Sequence, residues 1–180
     1  MTVAAPAWTF DAYTAVDDAD GTASAEHAPG GFLGVGGGFA AAVALRAMTG
    51  AVADASRPAR SLSLHLLAPV RPAPPLTVVP RVERTGGSTT AASVRLEQDG
   101  RTVVLGHGTF GRGGGTAAVA PRRDLSMPVV PGPDEAPRLT RDPTDGAEMS
   151  AHVERRPAAD PWPLSGADDA RLLVWMRLGE

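Results

Sequence analysis

The chain has 180 residues, about 1.2 times the roughly 150 residues of a typical domain, a length that suits neither one domain nor two. Hydrophobic residues make up 43%, charged residues 21%, and the formal net charge is −3; a buried core is expected, and the weak negative charge gives no drive toward nucleic acid or an anionic membrane. Cys, Lys, Asn and Ile are absent and every basic residue is Arg, which excludes disulfides, thiolate nucleophiles, thiolate zinc sites, a Walker A loop and a lysine Schiff base.

In chain order, the first residues carry no basic region ahead of Asp11, so they do not read as a signal peptide. Phe39 to Met48, the longest apolar helical stretch, contains Arg46 and falls short of the roughly 20 residues a membrane span needs. A cytoplasmic protein is the expectation. Trp8 to Val16 and Thr22 to Ala28 are compatible with short strands, separated by the turn-like Asp17-Asp18-Ala19-Asp20-Gly21.

A glycine-rich loop, Pro29 to Gly38, then opens into the alanine-rich segment Phe39 to Gly50, which predicts a helix with Gly50 as its C-cap. With only Arg46 charged, this helix should be buried. Four strand-like segments follow. Ser61 to Leu66 alternates strictly, with Leu62, Leu64 and Leu66 on one face and Ser61, Ser63 and His65 on the other. Leu76 to Arg84 alternates less cleanly; Thr90 to Glu97 and Arg101 to Phe110 flank Asp99-Gly100, a pair suited to the positive φ angles of a tight hairpin turn. The sum predicts an α+β fold in which an antiparallel sheet wraps around one long buried helix.

Beyond Gly111 the character changes. Nine of the 17 prolines fall between Pro121 and Pro163. The expected organisation is a domain over 1–112, a Gly/Pro-rich linker over 113–149 and a strand extension over 150–180, with strands at Ser150 to Arg156 and Arg171 to Leu178. Trp175 and its apolar neighbours are expected to be buried against the first sheet or a partner chain, because exposed they would promote aggregation.

Several chemistries can be tested against the residues. Gly36-Gly37-Gly38-Phe39-Ala40-Ala41 satisfies the loose dinucleotide fingerprint, but no buried strand leads into it and no βαβ alternation follows. His27, His65, His107 and His152 show no HxxxH or HExxH spacing, so no metal site is expected. No G-x-S-x-G elbow exists. A hydrolase lacking these groups depends on a carboxylate. None lies between Glu26 and Asp54, which leaves Glu26 with His27 as the base-like pair nearest the glycine loop, and solvated loop positions as the plainer reading of both.

These residues together resemble the first half of the double-hotdog acyl-CoA thioesterases. Gly37-Gly38-Phe39 with the alanine helix through Ala47 is similar to the family's GGY-then-helix pattern; Val70-Arg71-Pro72 to its Leu-Arg-Pro step; Arg84-Thr85-Gly86-Gly87 to its Arg-x-Gly-Arg turn; Leu96 to Gly100 to its Gln-Asn/Asp-Gly hairpin; and Gly108-Thr109-Phe110 to the end of its last strand. The chain departs from the pattern at Pro69, where an aromatic residue is usual, and at Gly87, where the second Arg stands.

The resemblance implies a hotdog fold and action on an acyl thioester of coenzyme A or a carrier protein, without a cofactor. Substrate would bind at Gly36, Gly37, Gly38 and Phe39, with helix N–H groups facing the oxyanion. In the family an Asp with Thr or Ser and Gln partners lies in the second hotdog, of which this chain carries only opening strands. Catalytic residues are therefore not assigned beyond the candidates Glu26 and His27. Hydrolysis and non-catalytic acyl binding both stay open, and a homodimer or a complementary hotdog half is the expected partner.

Overall fold

The structure, a computed structural model, describes residues 9–26, 30–31, 34–113, 126, 128–138, 153–159 and 172–178. Among them no helix is long and apolar enough to cross a membrane. Chain packing separates two units, Met1–Ala118 and Val119–Glu180.

The first unit begins with a one-turn helix, α1 (Phe10–Tyr13), where the sequence suggested a strand. The reason is local: Thr9 is extended and its hydroxyl accepts a hydrogen bond from Ala12 N at 3.2 Å, an N-cap that starts a helix. The strand expected over Thr22 to Ala28 is reduced to β1 (Thr22–Ala23); His27 lies outside the described residues. Two short strands, β2 (Gly30–Gly31) and β3 (Gly34–Val35), pair antiparallel and lead into α2 (Gly37–Val52).

Helix α2 runs past Gly50 and is capped instead by Ala53 in the left-handed region, with φ of 49°, its N–H donating to Thr49 O at 3.1 Å. Gly50 sits inside the last turn.

Four strands follow: β4 (Ala59–Leu66), β5 (Leu76–Thr85), β6 (Thr89–Gln98) and β7 (Arg101–Gly111). With β1 they form an antiparallel sheet in the order β1-β5-β6-β7-β4. The β6–β7 turn is the two-residue type the sequence predicts, with φ of 51° at Asp99 and 70° at Gly100 between paired Gln98 and Arg101. At Gly108 the strands β4 and β7 come close: a Cβ there would lie 2.9 Å from Ser61 O.

Phe39, Val43 and Met48 of α2 pack with Leu76, Val94, Leu96, Val104 and Phe110 of the sheet. Each such large side chain, fully buried, contributes about 1.5–3 kcal/mol. This is the hotdog arrangement, one helix against a curled antiparallel sheet. The helix is not buried all round, however. It packs mainly on β5 and β6, and Ala41, Ala42 and Leu45 remain half-buried.

The geometry explains the opening. A helix is about 10–12 Å across, whereas five strands at about 4.8 Å spacing span roughly 20 Å. Strand β4, at the edge, is left uncovered: Leu64 is half-buried, but Leu62 is 36% and Leu66 59% exposed on the helix side of the sheet. The alternation in Ser61 to Leu66 marks two faces as predicted, and the apolar one is largely open.

In the second unit, β8 (Val153–Pro157) and β9 (Val174–Leu178) form an antiparallel pair; Ser150 to His152 and Arg171 of the expected segments lie outside the described residues. Trp175 is half-buried and donates from Nε1 to Pro131 O at 2.9 Å. Met176 and Leu178 are exposed. Glu154 joins the hairpin, with its carboxylate 2.7 Å from Arg156 and 2.6 Å from Arg177. Hydrogen bonds from Arg156 and then Arg177 hold this carboxyl below its ordinary pKa. His152 lies outside the described residues.

Candidate active site

The start of α2 is the place where chemistry can be built. Gly36 is extended, no side chain caps the helix, and the first turn contains no acidic residue. The first N–H groups of a helix lack the usual intrahelical acceptor and carry the positive end of its dipole; here Phe39 N donates to Gly36 O at 3.0 Å, and no carboxylate of the first turn competes for the N–H groups of Gly37 and Gly38. Gly37 and Gly38 are exposed, Gly36 half-buried, and Phe39 is anchored in the core at 2% exposure. Phe39 therefore fixes the helix, whereas the glycines leave its start open. A Cβ at Gly37 would lie 3.1 Å from Leu66 Cδ1, so the end of β4 forms one wall.

A chain of hydrogen bonds fastens this helix start to the β6–β7 hairpin. Val35 N, next to Gly36, donates to Val70 O at 2.9 Å. The adjoining Arg71 is held by Gln98, a side chain 3% exposed: Gln98 Oε1 accepts from Arg71 N at 3.1 Å, and Nε2 donates to Arg71 O at 2.9 Å and to Pro74 O at 2.5 Å. The Arg71 guanidinium also pairs with Asp99 in the turn. Two segments singled out separately in the sequence, Val70-Arg71-Pro72 and Leu96 to Gly100, are thus one contact.

A second buried polar side chain was missed by sequence reasoning. Arg57 is 6% exposed and donates to Asp54 Oδ2 (3.0 Å), Thr90 Oγ1 (3.1 Å), Gly86 O (2.9 Å) and Gly87 O (3.2 Å). It closes the β5–β6 turn, the Arg84 to Gly87 segment. A partial signal existed in Asp54-Ala55-Ser56, because Asp54 Oδ1 accepts from Ser56 N at 3.0 Å and Ser56 Oγ at 2.6 Å, a turn that aims Arg57 inward. Those two Ser56 bonds, with Arg57 and the nearby Arg112, hold the Asp54 carboxyl below its ordinary pKa.

The candidate base is less well supported. Glu26 is exposed in the turn after β1, its N–H donating to Ser24 Oγ at 3.4 Å, and no contact among the described residues joins its carboxylate to the α2 start. His27 cannot be placed beside it. Among the described residues no group of three or more His, Cys, Asp or Glu is gathered for a metal ion.

Residues 24–111, the segment that carries the sheet and α2, match the family model of the acyl-CoA thioesterase N-terminal domain. The first unit is an acyl-CoA thioesterase-like hotdog. A hotdog-fold protein of unknown function from Alicyclobacillus acidocaldarius superposes with a TM-score of 0.75 at 26% identity, covering 94% of this chain and 62% of its own. A protein described as a thioesterase from Novosphingobium aromaticivorans gives 0.70 at 27% identity, with 94% and 66% covered. The acyl-CoA thioesterase II TesB2 of Mycobacterium marinum shares the fold, with a TM-score of 0.57 at 22% identity and 78% and 51% covered. No curated protein matches the chain. The chain thus spans about half to two thirds of the length of these solved hotdog proteins.

Proposed function

We propose that the hotdog acts on an acyl thioester, of coenzyme A or of a carrier protein, with the carbonyl oxygen seated at the start of α2 over Gly36, Gly37 and Gly38. Water adds to the carbonyl carbon, the oxygen takes up negative charge, the C–S bond breaks and the thiolate leaves to be protonated. In this reading the N–H groups at the helix start serve as the oxyanion's donors; the Val35–Val70 and Arg71–Gln98 hydrogen bonds, which anchor the segment leading into the helix, support it. The single observation that carries this reading is the open, acid-free, uncapped start of α2 within a thioesterase-like domain.

The reaction also requires a base. Glu26 is one candidate; the other is a carboxylate from a second hotdog, either a second copy of this chain or a complementary half. The exposed β4 edge with Leu62 and Leu66 supports such a neighbour, since an open strand edge and an uncovered apolar face both favour pairing. In this reading β8 and β9 are the opening strands of a second hotdog, joined through the Pro-rich segment, and the protein works in the cytoplasm.

Thiol release from a series of acyl-CoA substrates tests the proposal. Saturable release is expected, abolished in Glu26→Gln if Glu26 is the base and unchanged if a second hotdog supplies it. Saturable acyl-CoA binding without any release would instead assign the domain to acyl binding.

A further inference from the structure

The outer face of the sheet carries a pair of histidines that the thioesterase reading does not use. In the β4–β7 register, Ser63 is opposite His107 and His65 opposite Leu105, so the two imidazoles are diagonal neighbours on the same face. Their ring centroids are 6.5 Å apart and the planes differ by 33°. Both residues are exposed, and neither ring has a hydrogen-bond partner among the described residues. Arg95, in the same row on β6, has its guanidinium turned to Glu97 at 3.1 Å.

We propose that His65 and His107 form a two-imidazole site for a late first-row divalent transition ion, with water completing its coordination. An ion bonded to two imidazole nitrogens at about 2.0–2.1 Å holds the ring centres about 5–6 Å apart. Rotation about the exposed side-chain bonds has to close the pair by only about 1 Å. Nitrogen ligands suit Zn2+, Ni2+ and Cu2+, with Cu2+ the tightest of these. No spacing motif in the chain announced the pair, because the two residues meet only through the β4–β7 register. The ion would clip the exposed edge strand β4 to β7.

Calorimetric titration of the full chain with Zn2+ alone, in a buffer that does not bind it, tests the site. One saturable site per chain is expected, weakened about tenfold or more in His65→Ala and in His107→Ala, with the double variant at least as weak as either single. A His27→Ala, His152→Ala variant should keep it. Hydrogen exchange supplies an independent reading: Zn2+ should slow exchange of β4 amides in the parent chain but not in His107→Ala, where β4 is unaltered. Affinity unchanged within twofold in both single variants, loss in the His27→Ala, His152→Ala variant, or no saturable binding overturns the assignment.

Discussion

Gln98 grips the backbone of Arg71 from both sides: its carbonyl oxygen accepts from Arg71 N at 3.1 Å and its amide donates to Arg71 O at 2.9 Å. Because Val70, the preceding residue, accepts from Val35 beside the α2 start, this contact couples the hairpin turn to the candidate oxyanion site. Gln98→Ala would leave the Arg71 N–H and the carbonyls of Arg71 and Pro74, all in part-buried hydrogen bonds, without this partner. It should cost about 1–3 kcal/mol in urea unfolding and lower turnover beyond the loss of folded protein. Gln98→Glu should do no better, since a carboxylate cannot donate to Arg71 O and Pro74 O.

Arg57 gives a second, purely structural prediction. Its guanidinium bridges four oxygen acceptors around the β5–β6 turn. Arg57→Ala should destabilise by about 2–4 kcal/mol, and Arg57→Lys should recover only part of that, because one ammonium lacks the planar fork that spans them. Thermal unfolding of the two variants decides it.

Much of this scaffold was legible in the residues and some was not. Strands β6 and β7 announced themselves through alternation and the Asp99-Gly100 turn, both local signals. The Thr9 cap turned an expected strand into a helical turn because one side-chain hydrogen bond outweighed a weak strand pattern. Gly50 was the natural stop signal for α2, yet the helix runs two residues further to Val52 and is closed by Ala53 in the left-handed region. Leu62 and Leu66 could not be read as exposed, since alternation separates two faces without saying which is covered. For the site, Gly36 to Phe39 could be located as a helix start, but the roles of Arg57 and Gln98 depend on partners 24–33 residues away in sequence.

Asp54 predicts a pH dependence. Its carboxyl is held below the ordinary value of 3.8, chiefly by the Ser56 hydroxyl and N–H and further by Arg57 and Arg112. A lowered folded-state pKa means stabilisation that is present above the unfolded value and is lost as pH falls through the folded one. The stability difference between the parent chain and Asp54→Asn, measured by urea unfolding, should therefore be larger at neutral pH than below pH 3.8, and an equal difference at both would contradict the assignment.

Gly108 predicts the cost of crowding the edge. With its would-be Cβ 2.9 Å from Ser61 O, Gly108→Val must push β4 away from β7. A loss of about 1–3 kcal/mol is expected, with faster hydrogen exchange concentrated in β4 amides.

The uncovered β4 face links stability to assembly. Leu66→Glu places a charge on a side chain already 59% exposed, so folding of the isolated chain should change little, within about 0.5 kcal/mol. If β4 receives a second hotdog, the same variant should shift sedimentation toward the monomer and reduce thiol release. Unaltered sedimentation with full activity would place the interface elsewhere.

The most direct measurement of the central claim is the initial rate of thiol release from acyl-CoA substrates of increasing chain length, by the chain alone and together with the products of neighbouring genes. A saturable rate, depressed by Gln98→Ala, is the predicted result; no release above background in either setting, from any of the substrates, would contradict it.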